Sequence, residues 1–362
     1  MRKISNYMKH LALLLGALLT TQAFAQTKVT KNSAVKSNNY GVTYILPQTS
    51  LIIDATVTKV TRQAGPYYKY AERLLGIKDA ITASEVYYEL GKINVINKGI
   101  PDPNRSYTIE LKNGTFAPFV YLTEDGLLCT INAEYTPEEL DSNKKKQSIN
   151  NETTVENTSV YTEELLMAGS TAKMAEVAAK QIYRIRESRM NILTGEADNL
   201  PPDGEAMKLV IKELEQQEQA LVNLFAGVTT KEVMHKGFVV NPVEDIAKSI
   251  VFRFSSKLGV VPADDLGGMP VYLSLNQLDK QPPLDAKELE KKEKSLKGVV
   301  YNAPGKALLT ITMGKQTLLK EEVMVTQFGT HESLTPKMFE DKKAPVKVYF
   351  YPETGAIKQI IQ

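Results

Sequence analysis

The sequence has no tryptophan, one cysteine and three histidines among its 362 residues. A lone cysteine cannot close an internal disulfide, so a sulfur-stapled scaffold is excluded. Thiolate zinc sites need several cysteines, and the helical H-E-x-x-H signature is also missing. Charge of one sign is lacking too. Lys and Arg number 44 and Asp and Glu 42, a balance that argues against a nucleic-acid binder, which carries a basic face or stripe. Long apolar runs are scarce. Leu11 to Leu19 is too short to cross a bilayer, which takes about 20 residues, and no later segment is apolar enough to do so.

What stands at the start reads as an export signal. Arg2, Lys3 and Lys9 precede the apolar run, and Ala23-Phe24-Ala25 supplies small residues two apart ahead of Gln26. A basic start, a short apolar centre and a small-residue site are the three parts of a secretory signal peptide. The expectation is cleavage after residue 25. No cysteine lies near that site to accept a lipid, so a lipoprotein is not expected, nor stable membrane insertion after cleavage. Losing the leader removes three basic residues and no acidic one, which makes the balance slightly negative. The cysteine, Cys129, lies in the apolar stretch "GLLCTI" without basic neighbours, and reads as a small buried hydrophobe rather than a reactive thiol.

Behind the leader the composition divides the chain. Residues 26–36 are polar and read as a disordered tail. Residues 37–135 form an N-terminal β-rich region: "YGVTYILP" and "SLIIDATVTKV" are strand-like, with Pro47 marking a break between them. A short helix over 66–75 follows, opened by Pro66 and ended by Gly76, with Tyr67, Tyr70, Ala71 and Leu74 on one face. "SEVYYELGKINVIN", "SYTIELK", "FAPFVYL" and "GLLCTINAEY" read as further strands, with "KNGT" and "EDG" as turns. Residues 136–160 lose their apolar residues and read as a polar linker.

Residues 161–228 carry the strongest helical periodicity. Met174, Val177, Ala178, Ile182, Ile185 and Ile192 stripe one helix, with Ser170 or Thr171 as cap and Gly195 as stop. Met207, Ile211, Leu214, Leu221 and Phe225 stripe a second, started by Asp203 and stopped by Gly227. The short connection predicts an antiparallel helical hairpin. Residues 229–362 return to strands and hairpins and form a C-terminal β-rich region, interrupted by the charged stretch "PPLDAKELEKKEKSLKG". The predicted class is α+β, with two β-rich regions of antiparallel sheet separated by the hairpin. Whether those regions share a sheet is not legible at this level.

The order of "VTYILPQTSLIIDATV", "GPYYKYAERLLGI", "QIYRIRESRMNILTGEAD", "PPDGEAMKLVIKELEQQEQALVNLFAG", "YNAPGKALLTI" and "TQFGT" resembles an uncharacterised family of exported Bacteroidetes proteins, domain of unknown function 4831. The resemblance implies an envelope or periplasmic location. It supplies no activity and no catalytic residue.

Catalytic patterns fail one by one. Beyond the leader only His235 and His331 remain, in separate predicted elements, so no metal and no cofactor is expected. "PADDLGG" does not space its oxygens alternately, as calcium loops do. "APGKA" lacks both the first Gly and the Ser or Thr of a P-loop. "STAK", Ser170 to Lys173, imitates the Ser-x-x-Lys of penicillin-binding enzymes, but Glu353-Thr354-Gly355 has the wrong charge for the third motif, and a helix cap explains Ser170 better. Glu187, Glu196 and Asp198 leave open a carboxylate pair, which is assembled in space rather than in sequence.

Six side chains remain as candidates for a ligand or partner surface. Tyr67, Tyr68 and Tyr70 sit on the short helix, read chiefly as a plug sealing the first sheet. Arg184, Arg186 and Arg189 sit on the first long helix, read chiefly as ordinary ion-pairing groups. The expected function is a non-enzymatic envelope or periplasmic protein that binds an envelope protein or glycan. The alternative is a periplasmic hydrolase acting on glycan or peptide through carboxylates.

Overall fold

The computed structural model describes residues 28–31, 41–110, 119–136, 160–198, 204–280, 285–339 and 345–362. The expected leader, the "KNGT" turn, nearly all of the polar linker and the Asp203 cap lie outside the described residues. Strands β1 (Lys28–Lys31), β2 (Gly41–Gln63) and β3 (Glu85–Glu110) come first, with helix α1 (Ala71–Leu75) between β2 and β3. Short strands β4 (Val120–Leu122) and β5 (Leu128–Ile131) follow, then helices α2 (Glu163–Leu166), α3 (Thr171–Thr194) and α4 (Gly204–Ala226). The remainder is β6 (Val228–Val240), β7 (Ile246–Ser255), β8 (Gly259–Val261), β9 (Met269–Gln277), α5 (Ala286–Ser295), β10 (Val299–Met313), β11 (Gln316–Leu334), β12 (Lys347–Phe350) and β13 (Ile357–Ile361).

The fold mixes α and β, and the described strands form three antiparallel sheets. Their orders are β1-β3-β2-β6, β11-β10-β9-β7-β8 and β13-β12-β5-β4. Two of the three draw strands from both sides of the helices: β6 pairs along β2 from Leu51 to Gln63, and β12 pairs with β5. The two β-rich stretches of sequence are therefore not two regions in space. Lys28–Lys31, expected in a disordered tail, pair with Glu110–Tyr107 as an edge strand. Pro47 does not end a strand. It lies inside the 23-residue β2, at a register shift, opposite Pro101 of β3. Neither proline has an N–H to give the ladder, so the two are tolerated where the ladder is already interrupted.

That interruption organises the interior. Before it, β2 buries Tyr44 and Leu46; after it, Thr49, Leu51, Ile53 and Ala55. Side chains alternate with period two, so a local change of register moves burial from even to odd positions. The first set joins a core with Tyr107, Ile109, Val299, Val300, Leu334, Val348 and Phe350. Leu51, Ile53 and Ala55 of the second join another core with Ile93, Phe252, Leu273, Leu309, Ile311, Val323 and Val325. Four strands, β2, β3, β10 and β11, thus pass from one core to the other. Both hairpins they form break register at the passage, β2–β3 between Ile45 and Pro47 and β10–β11 between Ala303 and Gly305.

A third core belongs to the helices. The Ser170 hydroxyl accepts from the Lys173 N–H at 3.3 Å, which settles "STAK" as a helix cap, and Gly76, Gly195 and Gly227 end their helices with φ of 70°, 77° and 83°. Ala175, Ala178, Ala179 and Ile182 of α3 pack with Leu221, Leu224 and Phe225 of α4. The segment expected as a helix over 66–75 is shorter: a 3-10 turn at Tyr68–Tyr70 runs into α1. Tyr67 stays outside it because its N–H donates to Leu224 O at 2.8 Å. The charged stretch before β10 holds α5, opened by a reciprocal capping box between Asp285 and Glu288.

Candidate functional site where four strands change core

The two register breaks share one construction. In β2–β3, Ile45 faces Ser106 and Pro47 faces Pro101, so Asp102, Pro103, Asn104 and Arg105 stand opposite Leu46 alone. In β10–β11, Ala303 faces Thr330 and Gly305 faces Val325, so Thr326, Gln327, Phe328 and Gly329 stand opposite Pro304 alone. Each hairpin therefore carries a four-residue outpouching at the passage between cores. In the second the chains come so close that a Cβ on Gly329 would overlap the Ala303 carbonyl oxygen, and one on Gly305 the Phe328 carbonyl.

Buried hydrogen bonds fasten the hairpins to each other. The Thr49 N–H donates to Thr326 Oγ1 at 2.9 Å, and the Thr326 N–H donates back to Thr49 Oγ1 at 3.0 Å. Gln327 Nε2 donates to Thr49 O at 2.8 Å. Asn302, 2% exposed, donates through Nδ2 to Pro47 O at 2.8 Å and to Thr354 O at 2.9 Å. The Tyr44 hydroxyl donates to Val300 O at 3.0 Å and accepts from Val300 N at 2.9 Å. Burial pushes that hydroxyl far above the ordinary tyrosine range, with the Val300 bond opposing the shift only in part. The bulges leave backbone groups outside the ladders, and these side chains satisfy them; an unpaired buried group costs about 1–3 kcal/mol.

Between the fastened strands lies a cavity of about 510 Å³. Pro47 and Gln48 of β2, Asp102 and Arg105 of β3, Asn302 of β10 and the run Thr326 to His331 of β11 line it. Lys292, Glu293 and Leu296 close one side, and Gln277 and the exposed Val243 another. Its charged groups oppose one another: Arg105 lies 3.7 Å from Asp102 and 3.8 Å from Glu293, and Lys292 lies 4.0 Å from Glu332. Phe328 contributes an aromatic surface beside these polar groups. The volume falls in the range of small-ligand sites.

None of the six sequence candidates lines this cavity. Tyr67 is 3% exposed, and its ring meets that of Phe225 at 5.4 Å. Burial raises its hydroxyl above the ordinary range, with Tyr161 adding to the effect. It is a plug, but it seals the helices rather than the first sheet, because the apolar faces of α3 and α4 meet beside it. Tyr68 and Tyr70 are half-buried and take Lys69 and Arg73 over their rings at 5.9 and 5.6 Å. Arg186 Nε donates to Glu218 Oε1 at 2.6 Å, and Arg189 Nη1 lies 2.7 Å from Glu218 Oε2, without the geometry of a hydrogen bond. Arg184 is exposed and borders a shallow recess with Gln181, Ile185, Gln217 and Leu221. Tyr67, Tyr70, Arg186 and Arg189 thus belong to the helical packing, while Tyr68 and Arg184 lie at its surface.

The remaining chemistry-bearing side chains lie apart. Cys129 is fully buried, its thiol pushed up to about 11 by burial. His235 Nδ1 lies 3.2 Å from Asp54 Oδ2, remote in sequence from His331 at the cavity. Among the described residues, no group of three His, Cys, Asp or Glu is placed to hold a metal ion. The cavity residues escaped sequence reasoning although two signals were present. "GIPDPNRS" sets two prolines inside a strand-like run, and "VVYNAPGKALL" sets an amide among apolar residues. Three of the quoted segments, those holding Pro47, Asn302 and Thr326, meet at this one place.

A family model described as a domain of unknown function, DUF4831, matches residues 40–358, and the chain belongs to that family. No curated protein matches it, and no solved structure matches it.

Proposed function

We propose that this protein is exported to the periplasm or cell envelope, that it binds a partner rather than transforming a substrate, and that the cavity between the two bulged hairpins receives a glycan or peptide group. The observation that carries this reading is the pairing of a firmly built wall with a polar lining. Thr49, Asn302, Thr326 and Gln327 are engaged in buried or half-buried hydrogen bonds, so a ligand meets a preorganised surface and little ordering entropy opposes binding. Amides, both signs of charge and the Phe328 ring offer contacts that suit hydroxyl and amide groups. The leader-like residues 1–25 support export.

The hydrolase alternative draws less support. The two carboxylates at the cavity, Asp102 and Glu293, are both ion-paired to Arg105 rather than facing each other across a gap. We also take α3 and α4 as one antiparallel hairpin, joined by the Arg186–Glu218 and Arg189–Glu218 ion pairs.

Equilibrium binding to soluble cell-wall muropeptides and to a panel of short peptides tests the function. Binding that weakens about tenfold in both Arg105→Ala and Phe328→Ala, a loss of about 1.4 kcal/mol each, supports it. Binding untouched by both substitutions, or time-dependent cleavage of the probe, overturns it.

A further inference from the structure

β6 is an edge strand with little to close it off. Its 13 residues pair with β2 from Gln63 back to Leu51 without a register shift, and none of them is proline. Among the described residues, no strand pairs along its other side. Short length, proline, bulges and charge are the devices that protect such an edge. β6 has only the last, in Lys231, Glu232 and Lys236, and Gly237–Val240 carry no charge at all. In an antiparallel ladder alternate residues aim their N–H and C=O away from the partner strand. β6 therefore presents backbone donors and acceptors about every 6.8 Å along its free side.

That side borders a cleft. A cavity of about 420 Å³ lies between Gly237–Val240 of β6 and Ser249–Val251 of β7, with Leu273 of β9 also lining it. A second, of about 190 Å³, lies farther back along β6 at Met234 and Lys236, and reaches Leu258, Gly259 and Val260 at β8. β7 serves as a wall rather than a template. On its side away from β9 only Arg253–Ser255 are paired, to β8, and its ladder with β9 shifts register twice. The lining is apolar: Phe238 stacks on Phe252 at 4.6 Å, and Phe238, Val240 and Val251 border the core below. Among the described residues of the two linings, Lys236 alone is charged.

We infer that an extended peptide segment of another protein adds to β6 as a fifth strand of its sheet. Side chains alternate with period two, so Lys236, Phe238 and Val240 share one face. The peptide matches them with an acidic residue followed, at alternate positions, by apolar ones. The backbone selects this occupant, because a polypeptide repeats donors and acceptors at the required spacing. A glycan has no such period, and hydrocarbon laid here would leave buried N–H and C=O groups unpaired at about 1–3 kcal/mol each. The sheet edge of a second copy is bulkier than a single strand, and β7 stands across the cleft from Gly237–Val240. Charge complementarity to Lys236 then sets the register. The site is separate from the cavity between the bulged hairpins and does not rest on the reading given to it.

The probe is a fluorescently labelled octapeptide of alternating Val and Thr with one Val replaced by Glu, and its binding to the purified protein is read by anisotropy. Saturable binding is expected, with slowed hydrogen exchange of the amides over 228–240. Two further versions carry N-methyl groups on one or the other alternate set of peptide nitrogens. Methylation of the set that faces β6 should weaken binding at least about tenfold, and more than methylation of the other set. Lys236→Glu should weaken the Glu peptide about tenfold, and a peptide with Lys in place of Glu should regain the loss. Lys236 is exposed, so circular dichroism and melting of this variant should match the parent. Absence of saturable binding overturns the inference, as does unchanged exchange over 228–240. Tolerance of methylation in both sets overturns it too, since the cleft would then accept apolar surface without strand pairing, and so does indifference to the charge exchange. A dimer of the free protein with the same amides protected assigns the edge to a second copy and also overturns it.

Discussion

The outpouching of β11 and that of β3 have the same size and stand at the same passage between cores, but their surroundings differ. Thr326–Gly329 is folded inward. Its threonine and glutamine bind Thr49, and its glycine lies against Ala303. Asp102–Arg105 is folded outward. Pro103 and Asn104 are exposed, and its charged ends reach each other and Glu293 of α5 across partly solvated distances. One break of register thus serves as a lock and the other as an outward-facing wall. A bulge is a geometric device without a fixed energetic sign; the groups placed opposite it decide whether it stabilises the interior or shapes a surface.

Substitutions that treat the two alike would dissolve this contrast. The largest effect is expected at Gly329→Ala, whose new methyl meets backbone that cannot move aside. A loss of about 4 kcal/mol or more in urea unfolding follows, and a near-neutral result would deny the lock. A ruler from outside the passage is Tyr67→Ala, expected to lose about 3–4 kcal/mol as a buried aromatic is truncated, against under about 1 kcal/mol for the half-buried Tyr68→Ala. Asn302→Ala leaves the Pro47 and Thr354 carbonyls unpaired, so about 2–4 kcal/mol should go, at about 1–2 kcal/mol for each neutral carbonyl.

On the outward side the numbers should be small. Asp102→Ala and Arg105→Ala are expected to change stability by no more than about 1 kcal/mol, because partly exposed ion pairs are screened; a loss matching that of Asn302→Ala would make the two outpouchings equivalent. The smallest expected effect lies at high pH. The folded Tyr44 hydroxyl is pushed up and the unfolded one is not, so its contribution is complete below the ordinary tyrosine range near pH 10. That contribution drains away as pH rises through that range, where only the unfolded chain ionises. Alkaline unfolding midpoints for the parent and for Tyr44→Phe check this: the parent should show the steeper decline.

How much of this was legible varied with the range of the interaction. The caps at Ser170 and Gly195, the packed part of each helical stripe (Val177, Ala178 and Ile182 of α3, Leu221 and Phe225 of α4) and the burial of Cys129 follow from residues within one or two turns or strands of each other, and they stand where local pattern placed them. Pro47 misled because a proline inside a strand is indistinguishable locally from one that ends it. β2 runs on because its pairing with β3 resumes past the register shift, from Gln48 opposite Ile100 onward. The function of Tyr67 was legible in kind, as packing, but not in address, since Phe225 and Leu224 lie far along the chain. The cavity was not legible because each of its fastenings joins distant residues: Asn302 to Pro47, Thr326 to Thr49, Arg105 to Glu293.

From its own order of residues this chain already determined most of its strand and helix stretches, where α3 begins and stops, where α4 stops, and that a lone cysteine closes no internal disulfide. Such features depend on side-chain period and on the few residues that tolerate a helix end. Only the tertiary structure decided that strands from both sides of the helices share sheets, that four of them change core at one place, and that two outpouchings there became a lock and a wall. Pairing between segments a hundred or more residues apart is chosen by the whole set of competing contacts, and no local period records the outcome.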